Sequence, residues 1–273
     1  MNALVGEKLS IITSKAQTTR HRILGIVNGD DFQIVFSDTP GILKPCYKLQ
    51  ESMMNFVRGA LSDADVLLYV TDTVERDDER AAEIIDRIRQ SGVPTLVVNK
   101  IDLTTQEALE ALVEKWRATL PDAEIIPISA REGFNIAGLF DRILALLPEG
   151  EPFYPKDTLT DKTLRFFASE IIREKILRNY DKEIPYSCEI EIEEYREEPG
   201  IDRISAVIYV ARNSQKGILI GHKGEKLKKV GRQAREELEE FLRKKVFLQL
   251  FVKVSEDWRN DQRQLRRFGY DPQ

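Results

Sequence analysis

The sequence predicts an α/β domain built on a parallel sheet, followed by a smaller α+β domain, and three observations support this division. Short apolar runs alternate with helical patterns through the first half of the chain. A stretch rich in proline and acidic residues, 151–161, then interrupts the pattern as a linker does. The second half has the order helix, strand, strand, helix, turn, helix, strand. We therefore predict domains over 1–150 and 162–273.

Composition excludes several classes of protein. The 273 residues are 42% apolar and 32% charged, which is ordinary for a folded globular chain. No apolar run approaches the ~18 residues that a membrane span needs. The first eight residues have no basic head followed by an apolar stretch, which predicts a cytosolic protein. With Cys46 and Cys188 as its only cysteines and two histidines, the sequence argues against a disulfide framework or a zinc site.

Four β-branched, nearly continuous apolar runs in the first half are typical of buried parallel strands. These predicted strands are Phe32–Phe36, Val66–Val70, Val93–Val98 and Ile125–Ile128. Apolar residues at a spacing of three or four predict helices between and after the strands. The three predicted helix faces are Ala81/Ile84/Ile85/Ile88, Leu109/Leu112/Val113/Trp116 and Ile136/Leu139/Phe140/Ile143.

Each predicted strand ends in polar residues, at Asp38, Asp72, Asn99-Lys100 and Ser129. Ligands of open α/β sheets bind at the carboxyl ends of the strands. In Asp38-Thr39-Pro40-Gly41 the carboxylate can hold Mg²⁺ through water, and the glycine lets a backbone N–H approach a phosphate. The first strand end therefore predicts a metal-phosphate site.

The run Asn99-Lys100-Ile101-Asp102 predicts recognition of a guanine ring. Asp102 would accept hydrogen bonds from the N1–H and N2–H₂ donors of guanine, which adenine lacks, so adenine would leave the carboxylate unpaired. Asn99 would brace the base edge, and the stem of Lys100 would lie over the ring. A backbone N–H of Ala130, which follows Ser129, would donate to the guanine carbonyl.

The second half carries a Gly-x-x-Gly loop, Gly221–Gly224, between two helical stretches. Such a loop clamps the backbone of about four nucleotides of single-stranded RNA. Segment 212–253 holds 12 Lys and Arg against 5 Asp and Glu, a net +7, which attracts phosphates locally. The residues predicted to contact RNA are Ile218, Leu219 and Ile220 as an apolar groove wall, with Gly221, His222, Lys223, Gly224, Lys226 and Lys229.

Together these motifs resemble the Era family of bacterial GTPases, over essentially the whole chain. Met1–Ile11 is similar to the helix and turn that follow the phosphate loop of that family, and Ala16–Arg22 is similar to its first switch region. The resemblance implies an α/β, Ras-like, P-loop-type GTPase domain, N-terminally truncated, with a parallel-rich sheet but without its first strand and phosphate loop. A type II KH domain with a C-terminal helix would follow. No Gly-x-x-x-x-Gly-Lys-Ser/Thr motif occurs in the sequence.

The resemblance also implies roles for individual residues, with GTP or GDP and Mg²⁺ as cofactors. Thr19 would bind Mg²⁺ with Asp38, and Thr18 is the close alternative to Thr19. Thr19 and Gly41 would serve hydrolysis, which is expected to be slow because Ile42 stands where many small GTPases carry a water-orienting glutamine. The residues implied to contact the nucleotide are Asp38, Thr39, Pro40, Gly41, Ile42, Asn99, Lys100, Asp102, Ser129 and Ala130.

By the same resemblance the protein would be a cytoplasmic monomer that binds the 3′ end of 16S rRNA and the 30S ribosomal subunit. Its function would lie in 16S rRNA processing and 30S assembly, and peripheral contact with the inner face of the cell membrane stays open. An alternative is a KH protein that binds RNA independently of nucleotide, with the first domain as a scaffold. The missing phosphate-loop motif favours this alternative.

Overall fold

The computed structural model describes residues 1–71, 82–93 and 95–270, with the backbone alone for residues 96–99. Contacts divide the chain into two compact units. The first unit contains Met1–Lys8, Leu24–Lys44 and Met54–Thr160, and the second contains Leu9–Ile23, Pro45–Met53 and Asp161–Gln273. The chain thus enters the second unit twice before residue 161, while the division into domains at 1–150 and 162–273 stays a prediction.

The strands of the first half form two sheets. Strands β1 (Ile23–Asn28) and β2 (Gln33–Asp38) pair with each other. Strands β3 (Leu67–Thr71), β4 (Thr95–Lys100) and β5 (Glu124–Ile128) form a parallel sheet in the order β3-β4-β5. The predicted parallel α/β arrangement is therefore confirmed in this sheet, whereas β1 was not predicted. Asp72, Ala81 and Pro94, which the sequence-based elements include, lie outside the described residues.

Helices pack against these strands, and the apolar side chains between helices and strands form the core of the first unit. The core joins Ile34 and Phe36 of β2 to Ile126 of β5, and to Leu139 and Ile143. The helices of the first half are α1 (Asn2–Val5), α2 (Lys48–Asp63), α3 (Ala82–Ser91), α4 (Gln106–Thr119) and α5 (Ile136–Leu146).

Residues of the predicted linker are hydrogen-bonded to the first unit. The N–H of Tyr154 donates to Oε1 of Gln33 at 3.0 Å, and Nε2 of Gln33 donates to the Tyr154 carbonyl at 2.8 Å. The N–H of Ile26 donates to the Leu159 carbonyl at 2.8 Å. Residues 154–159 of the predicted linker therefore lie beside β1 and β2.

The second unit has the predicted order of elements, and its sheet has the order β6-β7-β8. Strand β6 pairs with β7 antiparallel, and β7 pairs with β8 parallel. The elements are α6 (Leu164–Asn179), α7 (Ile184–Ser187), β6 (Cys188–Glu198), β7 (Ile201–Val210), α8 (Asn213–Ile220), α9 (Glu225–Leu242), β8 (Lys245–Val254) and α10 (Gln262–Arg267). Helix α10, the expected C-terminal helix, begins at Gln262 because Asp261 caps its first turn by accepting from the N–H groups of Arg263 and Gln264.

Helices α6, α8 and α9 pack on one face of this sheet and enclose its core. Ile172, Ile176, Leu219, Ala234 and Leu238 contribute side chains with 0% exposure. Leu219 is therefore a core residue, and its predicted place in an RNA-facing groove wall is wrong. Within the described parts of the chain, no helix has both the length and the hydrophobicity to cross a bilayer.

The neighbours Leu219 and Ile218 provide a test of this packing. Leu219→Ala removes buried methyl groups and leaves a cavity, so we expect it to lower the free energy of unfolding by roughly 2–5 kcal/mol. Ile218→Ala changes a side chain that is 44% exposed, and we expect a loss of about 0.5 kcal/mol. Urea unfolding followed by circular dichroism measures both variants, and equal losses would contradict the assigned orientation of α8.

Candidate functional site

The carboxyl ends of the three parallel strands lie level with one another. Thr71 of β3 pairs in register with Asn99 of β4, and Asn99 pairs with Pro127 of β5. A short 3₁₀ turn, Ile101–Leu103, follows β4 directly and contains Asp102. Because parallel strands end at the same edge of a sheet, the loops after β4 and β5 converge there.

Asp102 and Ser129 meet at this edge although 27 positions separate them. The hydroxyl of Ser129 donates to Oδ1 of Asp102 at 2.9 Å. The same hydroxyl oxygen accepts from the N–H of Glu132 at 3.2 Å, and Ser129 is 2% exposed, so hydrogen bonds and packing hold its side chain in place. Asp102 itself is exposed. A carboxylate has about four acceptor positions, so the Ser129 contact leaves capacity for both donors of a guanine edge.

Three further residues of the predicted base site, Asn99, Lys100 and Ala130, lie close to Asp102 or Ser129 in the sequence. Lys100 is the last residue of β4 and is exposed, as is Ala130. The backbone of Asn99 lies in β4, but its side chain is outside the described residues.

Asp38 is the last residue of β2, and the predicted phosphate-site residues follow it. Pro40 is buried and Gly41 is exposed, while Ile42 is half-buried. A Cβ atom built on Gly41 would meet nothing within 4 Å, so the backbone there is open to close approach. Carboxylate oxygens are ligands that Mg²⁺ prefers, and Asp38 fits this chemistry.

The threonines expected to bind Mg²⁺ belong to the second unit, whereas Asp38 belongs to the first. The hydroxyl of Thr18 donates to the Lys15 carbonyl at 2.6 Å and lies 2.8 Å from the Thr13 hydroxyl. The Thr18 carbonyl accepts from the guanidinium of Arg173. Thr19 is half-buried.

The Gly-x-x-Gly loop has a backbone that favours glycine at both ends. The φ angles are +71° at Gly221, +49° at Lys223 and +78° at Gly224. A Cβ on Gly221 would lie 2.7 Å from Cγ of Lys226, so a side chain at position 221 would displace Lys226. His222 and Lys223 are exposed between the two glycines. The loop therefore offers backbone and cationic groups to a phosphate.

Helix α9 begins directly after this loop. Gly224 caps the helix without a side-chain hydrogen bond, so side chains do not cover the first N–H groups. Lys226 and Lys229 are exposed on the first turns, and Nζ of Lys226 lies 5.8 Å from the centroid of the Tyr180 ring. Ile218 is 44% exposed and Ile220 is half-buried, so these two remain as candidates for the groove wall. A helix N-terminus with lysines beside it attracts anions.

Sequence reasoning missed a buried cluster of charged groups in the second unit. Nη1 of Arg20 donates to Oε2 of Glu189 at 3.1 Å, and the hydroxyl of Tyr270 donates to the same oxygen at 2.6 Å. Glu189 lies on β6, where alternation of apolar and acidic residues predicts a solvent-facing side chain, but it is 5% exposed. Burial raises the pKa of Glu189, against the opposing charge of Arg20. The separation of 169 positions between Arg20 and Glu189 explains why no local pattern reveals their contact.

His21 lies beside this cluster. Its ring stacks on Tyr270 with centroids 4.2 Å apart and meets Phe166 edge-on at 5.5 Å. Burial is the main cause that lowers the pKa of His21 from 6.5 to about 4. The positive charges of Arg173, Lys162 and Arg20 act in the same direction, against the negative charge of Glu170. The imidazole is therefore neutral at pH 7.

Comparison with known proteins places these features in a family. Residues 1–100 match the family model of a 50S ribosome-binding GTPase, and residues 183–259 match that of the KH domain. "GTPase Era" of Syntrophus aciditrophicus (strain SB) is 44% identical over 274 residues, which cover 99% of this chain and 90% of that relative. "GTPase Era" of Alkaliphilus metalliredigens (strain QYMF) is 43% identical, with 99% and 93% covered.

Two solved structures are similar over nearly the whole chain. One is a tyrosine-to-alanine variant of Aquifex aeolicus Era bound to GDP·AlF₄⁻. The other is Era in complex with MgGDPNP and nucleotides 1506–1542 of 16S ribosomal RNA. Each has a TM-score of 0.94 and 41% identity, and covers 99% of this chain and 93% of the solved chain.

The environment of His21 predicts that the second unit loses stability as the pH falls from 7 to 5. In this window the unfolded His21, with a pKa near 6.5, binds a proton that the folded one, near 4, does not. Protonation therefore favours unfolding, and the loss at pH 5 is about 2 kcal/mol. His21→Phe keeps a ring beside Tyr270 and should remove this contribution.

Urea unfolding at pH 7, 6 and 5 measures the effect, with Trp116→Phe as the common background so that Trp258 reports on the second unit. The same pH dependence with and without His21 would contradict the assigned burial.

Proposed function

We propose, for a chain that belongs to the Era family of GTPases, that nucleotide binding by its first unit controls RNA binding by its second. Proteins of this family are GTP-binding, GTP-hydrolysing enzymes that use GTP or GDP with Mg²⁺ and carry a KH domain. The RNA is the 3′ end of 16S rRNA, and the process is 16S rRNA processing and assembly of the 30S subunit. The similar Era structure with nucleotides 1506–1542 of 16S rRNA supports this choice. We place the protein in the cytoplasm as a monomer.

The contact between Asp102 and Ser129 is the observation that carries the nucleotide part of the proposal. It holds an exposed carboxylate at the carboxyl ends of adjacent parallel strands, where a purine base would bind. We assign Asp102 to the N1–H and N2–H₂ donors of guanine, Ala130 to its carbonyl, and Asn99 and Lys100 to its edge and face. A guanine bound in this way satisfies the carboxylate, whereas adenine does not.

We assign the phosphates and Mg²⁺ to the run that begins at Asp38. Asp38 would hold the metal with Thr19, and Gly41 would present its N–H to the terminal phosphate, beside Thr39, Pro40 and Ile42. Bound Mg²⁺ neutralises phosphate charge that develops during hydrolysis. Ile42 has no polar group to orient a water molecule, so hydrolysis by this chain is expected to be slow.

The second unit would bind single-stranded RNA on the face that contains the Gly-x-x-Gly loop. Positive φ angles and the absence of side chains at Gly221 and Gly224 let the RNA backbone approach closely. Lys223, Lys226, Lys229 and His222 would supply donors, and Ile218 with Ile220 would contact the bases.

A second candidate function is RNA binding that needs no nucleotide. The observation in its favour is that the Gly-x-x-Gly loop and the lysines beside it all belong to the second unit, whereas Asp102 and Ser129 belong to the first. RNA affinity measured with and without GTP and Mg²⁺ separates the two candidates. A difference supports nucleotide control, and equal affinities support the second candidate.

Asp102→Asn tests the assignment of the base site. The amide replaces one acceptor oxygen by an NH₂ donor, which repels the N2–H₂ group of guanine and suits the 2-oxo group of xanthine. We expect GTP affinity to fall by roughly 100-fold and XTP affinity to rise. Equilibrium binding of the two nucleotides measures the exchange. The control is Asp122→Asn, which removes an exposed carboxylate elsewhere in the first unit. A parallel loss of GTP and XTP binding would contradict the assignment.

Lys226→Ala and Lys229→Ala test the RNA face. Each lysine that contacts a phosphate contributes about 0.7 to the slope of log K against log salt on a single strand. We expect each substitution to weaken binding to a single-stranded RNA and to reduce that slope by about this amount. Lys245→Ala, on β8, is the control and should change neither. Equal effects of all three substitutions would contradict the assignment, because RNA affinity would then depend on the net charge of the unit and not on contacts made by Lys226 and Lys229.

A further inference from the structure

The loop between β5 and α5 is closed into a tight turn, residues 129–134, by its own backbone. The N–H of Ser129 donates to the Phe134 carbonyl at 3.1 Å, and the N–H of Phe134 donates to the Ser129 carbonyl at 2.9 Å. Gly133 has a φ of +70°, which glycine adopts without strain. Ala130, the proposed donor to the guanine carbonyl, lies inside this turn. The position of the turn therefore determines the position of that donor.

Asn135, the residue that follows the turn, attaches it to the sheet. Its side-chain Nδ2 donates to the Pro127 carbonyl of β5 at 3.0 Å. The φ angle of Asn135 is +55°, and asparagine is one of the few residues with a side chain that adopt this region. Asn135 is the N-cap residue of α5, yet its side chain makes no cap hydrogen bond. The amide therefore bonds to the strand before the turn and not to the helix after it.

Gly138, in the first turn of α5, leaves room for this amide. A Cβ atom built on Gly138 would overlap Oδ1 of Asn135 and would lie 3.4 Å from its Cγ. Gly138 is exposed, and glycine stabilises a helix less well than alanine does. The space that the Asn135 amide occupies therefore explains a glycine that neither burial nor helix formation favours.

The two contacts that we assign to guanine come from separately held groups. Asp102 lies in the turn after β4 and accepts from the hydroxyl of Ser129, which is 2% exposed. Ala130 is exposed, and its turn is tied to β5 through Asn135. A change at Asn135 should therefore move the donor to the guanine carbonyl more than the acceptor for the N1–H and N2–H₂ groups.

We propose that Asn135 and Gly138 act as a pair of positioning residues for guanine recognition. The Asn135 amide, bonded to Pro127, holds the turn so that the N–H of Ala130 faces the carbonyl of the base. Gly138 gives the amide the space that it needs. Both residues act through Ala130 and require no contact with the nucleotide. The inference rests on the proposed function, because that function assigns Ala130 to the guanine carbonyl.

Asn135→Gly and Gly138→Ala test the pair in the full chain, with GTP and 6-thio-GTP as probes in equilibrium dialysis with Mg²⁺. The thio analogue keeps both donors that Asp102 accepts, but its sulfur is a weak acceptor for the N–H of Ala130. The first substitution tolerates the positive φ and removes the amide, and the second displaces the amide. We expect each variant to bind GTP roughly tenfold more weakly and to bind 6-thio-GTP as the wild type does.

The double variant separates positioning from a general effect on α5. Once the amide is removed, Gly138→Ala has nothing to displace, so it should cause no further loss of GTP affinity. Effects on helix stability alone would not give this result, because alanine strengthens an exposed helix position. Gly217→Ala in α8, where a Cβ would meet nothing within 4 Å, is the control and should leave both affinities unchanged.

The outcomes distinguish this inference from the proposed function. An unchanged preference for GTP over 6-thio-GTP in either single variant, or additive losses in the double variant, would overturn the pairing while the base-site assignment stands. A wild-type protein that binds GTP no better than 6-thio-GTP would overturn the assignment of Ala130, and the inference with it.

Discussion

The parallel register of β3, β4 and β5 is the constraint on which the candidate nucleotide site depends. It aligns Thr71, Asn99 and Pro127 in one row, so the loops after the strands begin at one edge of the sheet. Asp102 lies in the short turn that follows β4, and Ser129 directly follows β5, so their side chains meet at this edge. The specificity we assign to Asp102 is therefore a consequence of strand direction and buried apolar packing, and the loops add the chemistry.

The second unit contains an apolar core, an exposed glycine loop and a buried group of polar side chains. Helices α6, α8 and α9 bury their apolar faces on the sheet, which leaves the glycine loop and the start of α9 exposed. Elsewhere in the unit, Arg20, Glu189 and Tyr270 form a buried polar group that joins residues from distant parts of the chain. The core supplies most of the stability, while the polar groups determine which segments the unit holds.

Most of the fold could be predicted because its main strands are continuous apolar runs and its helices keep a regular apolar spacing. Helix α2 was missed even though Leu49, Met53, Met54 and Val57 are buried at helical intervals. Strand β1 was missed because Gly25 interrupts its apolar run and Asn28 ends it. The burial of the Leu219 and Glu189 side chains could not be predicted from the local sequence pattern. An apolar run does not say which member faces the core, and Glu189 is buried only because Arg20 and Tyr270 reach it.

The most direct test of the central claim, that the strand ends recognise guanine, compares the affinities of the unmodified protein for GTP, ITP and ATP in the presence of Mg²⁺. ITP keeps the N1–H donor and lacks the 2-amino group, and ATP offers neither donor to Asp102. The account predicts the order GTP, ITP, ATP, with a loss of roughly tenfold for ITP and a larger loss for ATP. Equal binding of GTP and ATP would contradict it.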